Sequence, residues 1–393
     1  MKTKKSVRRY AYILVEVGKR EFESRLVLKR ELEGRGFTVI IGLKNLLIDL
    51  LVISALPKGI IFDKCAQLSS NWRIKYLKKK GFKYTCLDEE GIFTKLPEVI
   101  ARNKNLDNVD HLFINNRKHF NLLVKSNSIG FNEGKTSITG NLRQSKRLFN
   151  EYRDSSHSES NNDVLIIGNF SQFRIGAEAR EWDRDLLGRF DEEAIQIVRK
   201  LKNDEDFNIF YRPHPSETSW YKKHFSNERV LKEGNILSLL SRFKKIICFR
   251  CTTALEGRFL NLEVHNFSNS SPVAPILTRI GCVFKNYEEL KINLLSHQYE
   301  PLNPKREKKV LDFLIPNKNP EIKIADAIEA LSIESNRKIY GRICFLFSHI
   351  LWFSYKIWYR KNVKIMYDKF STNEIEHRLN CMDIKSLGKF IYE

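Results

Sequence analysis

The chain has 393 residues, of which 42% are hydrophobic and 29% are charged. This composition is ordinary for globular proteins and excludes a wholly disordered chain, while the length predicts two domains. The chain has 68 lysines and arginines against 47 aspartates and glutamates, which gives a formal net charge of +21. Such an excess predicts a polyanionic partner, such as nucleic acid, an anionic membrane face or a phosphorylated substrate.

The seven cysteines are odd in number and scattered along the chain, which favours a reducing, cytoplasmic compartment. Only Cys248 and Cys251 have a spacing that a metal site or redox pair uses, and no second pair lies near them in the sequence. The basic N-terminus leads into an apolar run that Glu16 interrupts. We therefore expect a first strand there and not a signal peptide.

In the first half of the chain, short apolar runs alternate with helical stretches, a pattern typical of parallel α/β units. A helix over Arg20–Glu33, ended by Gly34 and Gly36, is predicted after the first strand. The predicted strands are Ala11–Val17, Phe37–Ile41, Gly59–Phe62, Lys83–Leu87, His111–Ile114 and Ser137–Thr139. We expect one Rossmann-type domain over residues 1–152.

Residues 153–162 are small and polar, which predicts a linker. The alternation then restarts and predicts a second Rossmann-type domain over residues 163–335. Its predicted strands are Asp163–Ile167, Phe207–Tyr211, Lys245–Phe249 and Glu263–Phe267. Its predicted helices are Asp191–Leu201, Ile236–Arg242 and Ala254–Leu260.

Residues 336–393 form a basic, aromatic tail that we expect to be helical. Its apolar core, Ile343 to Phe353, is shorter than the roughly 20 residues that a spanning helix needs. Tryptophans and tyrosines flanked by lysines and arginines suit the headgroup level of a membrane. The tail therefore either lies on a membrane surface or packs on the rest of the protein, and membrane spanning is less favoured.

An acidic cluster, Asp88, Glu89 and Glu90, follows the predicted strand Lys83–Leu87 and precedes Gly91. Repulsion between adjacent carboxylates makes one of them a better proton acceptor, as a general base requires. A solvated acidic turn is the alternative.

A turn that contains two prolines follows the predicted strand Phe207–Tyr211 and carries Arg212, His214 and Ser216. The carboxyl ends of strands are where α/β folds bind ligands, and a histidine beside an arginine suits a phosphate. These three residues are therefore candidates to bind the nucleotide of a donor. The alternatives are a histidine that satisfies a nearby carbonyl, and an ion pair between Arg212 and Glu217.

Three further candidates for donor binding, Thr252, Thr253 and Glu256, lie at the start of a predicted helix. Thr253 and Glu256 have the spacing of a capping box, while the helix N-terminus also suits a phosphate and Glu256 suits ribose hydroxyls. Asn169 lies at the equivalent end of another strand of the same predicted sheet.

Lys19 and Arg20 follow Gly18 at the end of the first strand and are candidates to bind an anionic acceptor, although a role in opening the helix is favoured. The sequence contains no Walker A loop, no G-x-G-x-x-G, no H-E-x-x-H and no zinc-ligand spacing. ATPases and oxidoreductases are therefore disfavoured, and no metal or cofactor is expected.

Three motifs taken in order, Glu89-Glu90-Gly91, His214-Pro215 and Thr252-Thr253, resemble the acidic-acidic-Gly, His-Pro and Ser/Thr motifs of bacterial sialyltransferases and Kdo transferases. Over roughly residues 10 to 300, the chain is also similar to surface carbohydrate biosynthesis proteins. The segments that carry this second resemblance are Lys19-Arg20-Glu21-Phe22, Leu87-Asp88-Glu89-Glu90-Gly91, Thr139-Gly140-Asn141, Arg212-Pro213-His214-Pro215-Ser216-Glu217 and Cys251-Thr252-Thr253.

The resemblance implies a GT-B-like α/β fold, with two Rossmann-type domains facing a cleft and a C-terminal helical extension. It implies that Glu89 is the general base, and the additional acid Asp88 leaves that choice open by one residue. It places His214, Thr252 and Thr253 on the phosphate of a CMP donor bound by the second domain.

The activity that the resemblance implies is inverting, metal-independent glycosyl transfer of Kdo, sialic acid or a related nonulosonate. The acceptor would be a lipid-linked glycan at the anionic inner face of the cytoplasmic membrane, where the protein would be peripheral. The alternatives are a CDP-polyol phosphotransferase of the same fold and a noncatalytic polyanion-binding protein. Nucleic acid is not expected as a partner, because the basic residues are spread over the whole chain and no recognition module is present.

Overall fold

The chain folds into two compact units, seen here in a computed structural model. One unit comprises residues 1–148 and 313–393, and the other comprises residues 149–312. The structure describes residues 8–16, 18–68, 71–89, 103, 105–153, 160, 162–170, 184–214, 217, 219–232, 234–249, 251–268, 279–296, 299, 301, 303–335 and 389–391.

Strands and helices alternate along most of the described chain. The strands are β1 (Arg8–Val15), β2 (Phe37–Leu43), β3 (Ile60–Asp63), β4 (Lys83–Leu87), β5 (His111–Ile114), β6 (Thr136–Ile138), β7 (Asp163–Ile167), β8 (Asn208–Arg212), β9 (Lys245–Cys248), β10 (Glu263–Phe267), β11 (Cys282–Phe284), β12 (Glu334–Ser335) and β13 (Lys389–Ile391). The helices are α1 (Gly18–Gly34), α2 (Lys44–Val52), α3 (Trp72–Lys79), α4 (Arg117–Lys125), α5 (Lys146–Arg153), α6 (Arg184–Lys202), α7 (Ile236–Leu240), α8 (Thr253–Phe259), α9 (Tyr287–Leu295), α10 (Pro304–Leu314) and α11 (Pro320–Ala330).

Each unit is built on one twisted sheet of mainly parallel strands. In the first unit the order is β13-β2-β1-β3-β4-β5-β6, with β12 paired to the start of β1. In the second unit the order is β11-β10-β9-β7-β8. The described pairings are parallel except for that between β1 and β12. Parallel strands joined by helices are the α/β architecture that the alternating sequence predicts.

The central strand β1 shows why the apolar runs become strands. Its residues from Tyr10 to Val15 are at most 1% exposed, because a parallel sheet is covered by helices on both faces and buries both sides of a central strand. The predicted bounds of β4, β5, β7 and β10 agree with the structure, and the other predicted strands overlap observed ones. Helices α2 to α5 were not predicted.

The chain returns to the first unit after α10. Arg35 Nη1 lies 2.6 Å from Asp326 Oδ1 of α11, and Arg9 Nη1 lies 2.8 Å from Glu329 Oε1. Because α11 packs on α1 and pairs with Arg9 and Arg35, residues 313–335 group with the first unit and not with the second domain to which the sequence assigned them.

Most of the tail, residues 336–388 and 392–393, lies outside the described residues, and so does the predicted membrane-associated segment. Its described part, Lys389–Ile391, forms strand β13 beside β2 and is not helical as expected. Within the part of the chain that the structure describes, no helix has the length and apolar character needed to cross a bilayer.

Gly59, just before β3, lies where no side chain fits. A Cβ at this position would lie 2.5 Å from the carbonyl oxygen of Tyr10 and 2.8 Å from a ring carbon of Tyr12. We expect Gly59→Ala to lower the free energy of unfolding by about 1–3 kcal/mol, since a backbone atom of the central strand must move. Urea unfolding followed by circular dichroism measures this change.

The matched control is Gly34→Ala at the end of α1, where a Cβ would meet nothing within 4 Å. This variant should be neutral or slightly stabilising, because alanine favours the helix. Equal unfolding midpoints for the two variants would contradict the close packing of β1 against Gly59.

Candidate functional site

In each sheet, the connections that follow two neighbouring strands run toward opposite edges of the sheet. These strands are β1 and β3 in the first sheet, and β7 and β9 in the second. In the first sheet the chain passes from β1 to β2 on one side, while β3 lies on the other side of β1. In the second sheet it passes from β7 to β8, while β9 lies on the other side of β7. Loops that diverge in this way open a crevice at the carboxyl ends of the strands, where α/β folds bind ligands. The residues that follow β1, β3, β7 and β9 are therefore the first candidates for a site.

At this edge of the first sheet, acidic and basic side chains form a buried charge cluster. Its members are Glu16, Glu21, Arg25, Lys44, Asp63, Lys64 and Glu89. They come from the loop after β1, from the end of β3 and the residue that follows it, from the first two to three turns of α1, from the start of α2 and from the loop after β4. Charged groups withdrawn from water at a ligand-binding edge are typical of functional sites.

The centre of the cluster is the ion pair of Arg25 and Glu89. Arg25 Nη1 lies 2.5 Å from Glu89 Oε1, and the two side chains are 0% and 3% exposed. The guanidinium also lies 5.2 Å from the ring centroid of Phe62. Burial opposes the charged form of Arg25, but the carboxylates of Glu89 and Glu21 outweigh it and raise the pKa of Arg25. Arg25 therefore fixes the position of the carboxylate that the resemblance assigns as the base.

Glu21 is a second buried carboxyl group in the cluster. Burial raises its pKa above the ordinary value, the positive charge of Arg25 opposes this, and the neighbouring Glu89 adds to it. Glu21 Oε2 accepts a hydrogen bond of 2.8 Å from the backbone N of Glu16. Lys64 Nζ lies 3.4 Å from Glu21 Oε1 and 3.1 Å from Glu16 Oε2. Glu21 therefore adds a second buried acidic side chain beside the ion pair of Arg25 and Glu89.

Lys44 and Asp63 complete the cluster on the side of α2. Lys44 Nζ lies 2.9 Å from Asp63 Oδ1, and the hydroxyl of Tyr84 donates to Asp63 Oδ2 at 2.8 Å. Burial lowers the pKa of Lys44, but the charge of Asp63 outweighs it and raises that pKa above the ordinary lysine value. The lysine therefore remains charged.

Asp88, which the sequence left open as the base, is fully buried and occupied by structural contacts. Asn103 Nδ2 donates to Asp88 Oδ2 at 3.0 Å, and His119 Nε2 lies 3.2 Å from the same oxygen. Asn115 Nδ2 donates to the backbone carbonyl of Asp88 at 2.5 Å. These contacts fix the turn that carries Glu89, and a role of Asp88 as the base stays a prediction.

The Thr139-Gly140-Asn141 motif meets the acidic motif at this edge. Asn141 Nδ2 donates to the backbone carbonyl of Glu89 at 3.1 Å, and both Thr139 and Asn141 are buried after β6. Gly140 has φ of +84°, in the left-handed region that favours glycine. The motif therefore supports the backbone of Glu89 from the neighbouring loop.

The predicted acceptor-binding residues Lys19 and Arg20 lie in the first turn of α1, which begins at Gly18. Their side chains lie outside the described part of the structure. Glu90 of the acidic cluster and Ser216 of the proline-containing turn also lie outside the described residues.

In the second sheet, the loops after β7 and β9 are joined by a side-chain amide. Asn169 Nδ2 donates to the carbonyl oxygen of Phe249 at 3.1 Å, so the two loops on either side of the divergence are tied together. Asn169, His214 and Thr252 are all half-buried. Polar side chains that keep part of their surface open at this edge remain accessible to a ligand.

The turn that carries His214 is fastened to the loop after β7 through Glu217. One carboxylate oxygen of Glu217 accepts from the backbone N of Phe170 at 2.9 Å, and the other accepts from the Tyr211 hydroxyl at 2.7 Å. The backbone N of Glu217 donates to the carbonyl of His214 at 2.8 Å. A Cβ at Gly168 would overlap the Tyr211 hydroxyl, so the hydrogen bond between Tyr211 and Glu217 requires glycine at position 168. His214 is therefore held beside the crevice.

Arg212 has a role that the sequence did not predict. Its Nη1 donates to the carbonyl of Leu231 at 2.7 Å and its Nη2 donates to the carbonyl of Gly234 at 3.0 Å. The expected roles were an anion pocket and an ion pair with Glu217. The guanidinium orients the loop around residues 231–234, since backbone carbonyls at this spacing match its fork of donors. The two expected roles stay predictions.

The helix begins one residue earlier than the predicted capping box of Thr253 and Glu256 requires. Thr252 is the N-cap of α8, and Thr253 is the first helical residue. Among the described contacts, the side chain of Thr252 forms no capping hydrogen bond. The Cys251 thiol donates to Thr253 Oγ1 at 3.2 Å. Thr253 and Glu256 are 6% and 4% exposed. Of the residues predicted around this helix, Thr252 is therefore the most accessible to a ligand.

No three His, Cys, Asp or Glu side chains are grouped to hold a metal ion within the described ranges. Cys248 is fully buried, and burial raises the pKa of its thiol well above the ordinary value. A buried neutral thiol is a poor nucleophile and a poor metal ligand.

The sequence matches no protein-family model and no curated protein. The fold, in contrast, is similar to that of solved structures. A UDP-GlcNAc 2-epimerase of Methanocaldococcus jannaschii, in complex with UDP-GlcNAc and UDP, has a TM-score of 0.52 at 12% identity, over 82% of this chain and 99% of that chain. A candidate UDP-N-acetylglucosamine 2-epimerase of Listeria monocytogenes has a TM-score of 0.53 at 13% identity, over 82% of this chain and 96% of that chain.

Identities this low establish the fold alone. The expected GT-B-like architecture of two parallel α/β units is confirmed.

The ion pair of Arg25 and Glu89 leads to a stability prediction. Arg25→Met or Glu89→Gln should each lower the free energy of unfolding of the first unit by about 3–5 kcal/mol, because each leaves a buried charge without its partner. The double variant should lose less than the sum of the two single losses. Urea unfolding of the four proteins gives the coupling free energy.

The control is the exposed pair of Arg73 and Asp49, whose charged atoms lie 2.9 Å apart with side chains 20% and 39% exposed. Arg73→Met and Asp49→Asn should each cost at most about 1 kcal/mol. Additive losses for Arg25 and Glu89 would show that the buried pair is not coupled.

Proposed function

We propose that the protein is a sugar-nucleotide-dependent glycosyltransferase that binds its donor on the second unit and activates an acceptor hydroxyl on the first. The observation that carries this proposal is the chemical difference between the two strand-end sites. The first holds a cluster of buried carboxylates and cations, whereas the second presents half-buried histidine, threonine and asparagine side chains. The likeness in fold to an epimerase solved with UDP-GlcNAc and UDP supports a nucleotide sugar as the ligand.

At the second site, His214, Thr252 and Asn169 supply hydrogen-bond donors to phosphate oxygens. Departure of the nucleotide places negative charge on a phosphate, and fixed donors at that position stabilise it. The resemblance of the motifs favours a CMP donor that carries Kdo, sialic acid or a related nonulosonate. Such a donor leaves with a single phosphate, which these three side chains suit.

At the first site, Glu89 takes the proton of the acceptor hydroxyl as that oxygen attacks the anomeric carbon and the bond to the nucleotide phosphate breaks. Attack from the face opposite the leaving group inverts the configuration. Arg25 orients the carboxylate, and the buried Glu21 lies in the same cluster. The acceptor in this proposal is a lipid-linked glycan at the cytoplasmic face of a membrane.

A nucleotide-sugar epimerase is a second candidate. It is favoured by the solved structures with TM-scores of 0.51 to 0.53, which are described as UDP-GlcNAc 2-epimerases. An epimerase returns its sugar to the nucleotide and needs no acceptor. Turnover with and without an acceptor therefore distinguishes the two candidates.

We expect CMP to bind the protein without metal more tightly than CDP, UDP or GDP, with His214→Ala weakening the binding by about 10- to 100-fold. That range corresponds to the loss of one hydrogen bond to a charged group. Isothermal titration calorimetry measures it. His224→Ala is the matched control, because His224 is also half-buried in the second unit and should bind CMP as the unaltered protein does.

A preference for UDP would replace the CMP donor with a UDP sugar. A preference for CDP would favour the polyol phosphotransferase. Binding of none of the nucleotides would contradict the proposed function and leave the noncatalytic, polyanion-binding alternative.

We expect Glu89→Gln to lower kcat/KM for sugar transfer by about 100-fold or more, because the amide cannot accept the proton. Nucleotide binding by the second unit should be retained, and a circular dichroism spectrum and urea transition measured at the assay temperature show that the first unit remains folded despite the lost ion pair. Mass spectrometry of products from CMP-sialic acid, CMP-Kdo and UDP-GlcNAc, with a lipid-linked acceptor, measures transfer. Glu133→Gln, at an exposed position of the first unit, should keep full activity.

Unchanged transfer by Glu89→Gln would remove Glu89 from the role of base. Interconversion of UDP-GlcNAc with an epimer in the absence of acceptor would establish the epimerase candidate instead.

A further inference from the structure

Helix α3 of the first unit has two chemically different faces. Ile74 and Leu77 are buried against the core of this unit. The opposite face carries Trp72, Lys75 and Lys79, which are all exposed. Residues spaced by three, four and seven positions lie on one side of a helix, so these three side chains form one stripe. We call them the α3 stripe.

Trp72 is 65% exposed. Tryptophan is the largest side chain and is usually well buried in soluble proteins. Its ring prefers the boundary between water and an apolar phase, where tryptophan is enriched in membrane proteins. An exposed tryptophan at the start of a packed helix therefore points to a surface that covers it in use.

The basic residues of α3 divide into two groups. On the flanks, Arg73 pairs with Asp49 at 2.9 Å, and Lys78 pairs with Asp110. On the stripe, Lys75 and Lys79 form no ion pair with any acidic side chain of the described residues. The flanking charges are neutralised by the protein, while the stripe keeps its positive charge toward solvent.

A third lysine extends the charged face at the end of the helix. Lys80 is exposed, and its Nζ lies 5.3 Å from the ring centroid of Tyr76, which is half-buried beside the stripe. Tryptophan and tyrosine rings bordered by lysines have the composition of surfaces that rest at the headgroup level of anionic bilayers. A partner that is complementary to this face therefore carries negative charge. To accommodate the ring of Trp72, the partner must also offer an apolar phase.

We propose that α3 docks the first unit on an anionic lipid bilayer, with the ring of Trp72 among the headgroups and Lys75, Lys79 and Lys80 on the lipid phosphates. Arg73 Nη2 also lies 3.3 Å from Asn45 Oδ1 in the first turn of α2, so α3 is braced against the helix that carries Lys44 of the buried charge cluster. Docking through α3 orients the carboxyl edge of the first sheet with respect to the bilayer. This inference stands apart from the proposed function, because lipid binding is measured without any nucleotide.

The test is sedimentation of the full-length protein with vesicles of phosphatidylcholine alone or mixed with phosphatidylglycerol. The triple variant Lys75→Glu, Lys79→Glu, Lys80→Glu should partition to the mixed vesicles at least about tenfold more weakly than the unaltered protein, since each lysine near an anionic surface contributes to binding. Trp72→Ser should also weaken partitioning. All four positions are exposed, so the variants should keep their circular dichroism spectra.

The matched control reverses three other exposed lysines of the first unit, Lys118, Lys125 and Lys135. Both triple variants change the formal net charge by six, from +21 to +15, because each substitution replaces +1 with −1. Partitioning that is kept by the control and lost by the α3 variant supports the proposal. Equal losses would show that net charge alone binds the bilayer, and no loss from the α3 variant would show that another segment does; either result overturns the proposal.

A second measurement locates the tryptophan. The chain has five tryptophans, so the contribution of Trp72 is the difference between the unaltered protein and Trp72→Phe. Lipids brominated near the headgroup should quench the fluorescence of the unaltered protein more than that of the variant. Equal quenching of the two proteins would overturn the placement of Trp72 in the bilayer.

Discussion

The ion pair of Arg25 with Glu89 governs the carboxyl edge of the first sheet. A guanidinium with no exposed surface requires a carboxylate in contact, because the cost of burying an unpaired charge is several kcal/mol or more. That requirement brings helix α1, the ring of Phe62 in β3 and the turn after β4 together at one point. The hydrogen bonds of Asp88 and Asn141 then hold this turn from either side. The position of the central carboxylate is thus set by several independent elements.

The second unit organises the same edge of its sheet with fewer charges. Its loops are joined by Asn169 and by the carboxylate of Glu217, whose partners are a carbonyl, a backbone N–H and a phenol. The half-buried side chains of His214 and Thr252 lie at the same edge. In the proposed function, the first unit takes up the proton of the acceptor and the second unit holds the phosphate of the donor.

The sequence predicted the architecture well, because a strand buried on both faces needs a continuous apolar run that can be recognised locally. The fold class and the bounds of β4, β5, β7 and β10 follow from such runs. The predicted site residues that the structure describes lie near strand ends, but their partners were not predicted. The burial of Arg25 could have been predicted, since it shares a helix face with the apolar residues Phe22 and Leu26. Its partner could not, because the carboxylate that it binds lies far along the chain.

Other features depend on partners that no sequence pattern identifies. The guanidinium of Arg212 binds backbone carbonyls, and any residue type supplies a carbonyl. The assignment of residues 313–335 depends on ion pairs between α11 and residues near the N-terminus. Local patterns identify elements, whereas contacts between distant segments determine which unit an element joins.

The second unit is inserted within the first, since residues 149–312 separate two segments of one sheet. Strands β12 and β13 pair with β1 and β2, so the described sheet of the first unit is complete only after residues 389–391 have been synthesised. During synthesis, the described strands of the inserted unit are available earlier, and that unit can fold before the first one. Of the two units, the one whose first strand is made earlier is therefore the one whose sheet is completed later.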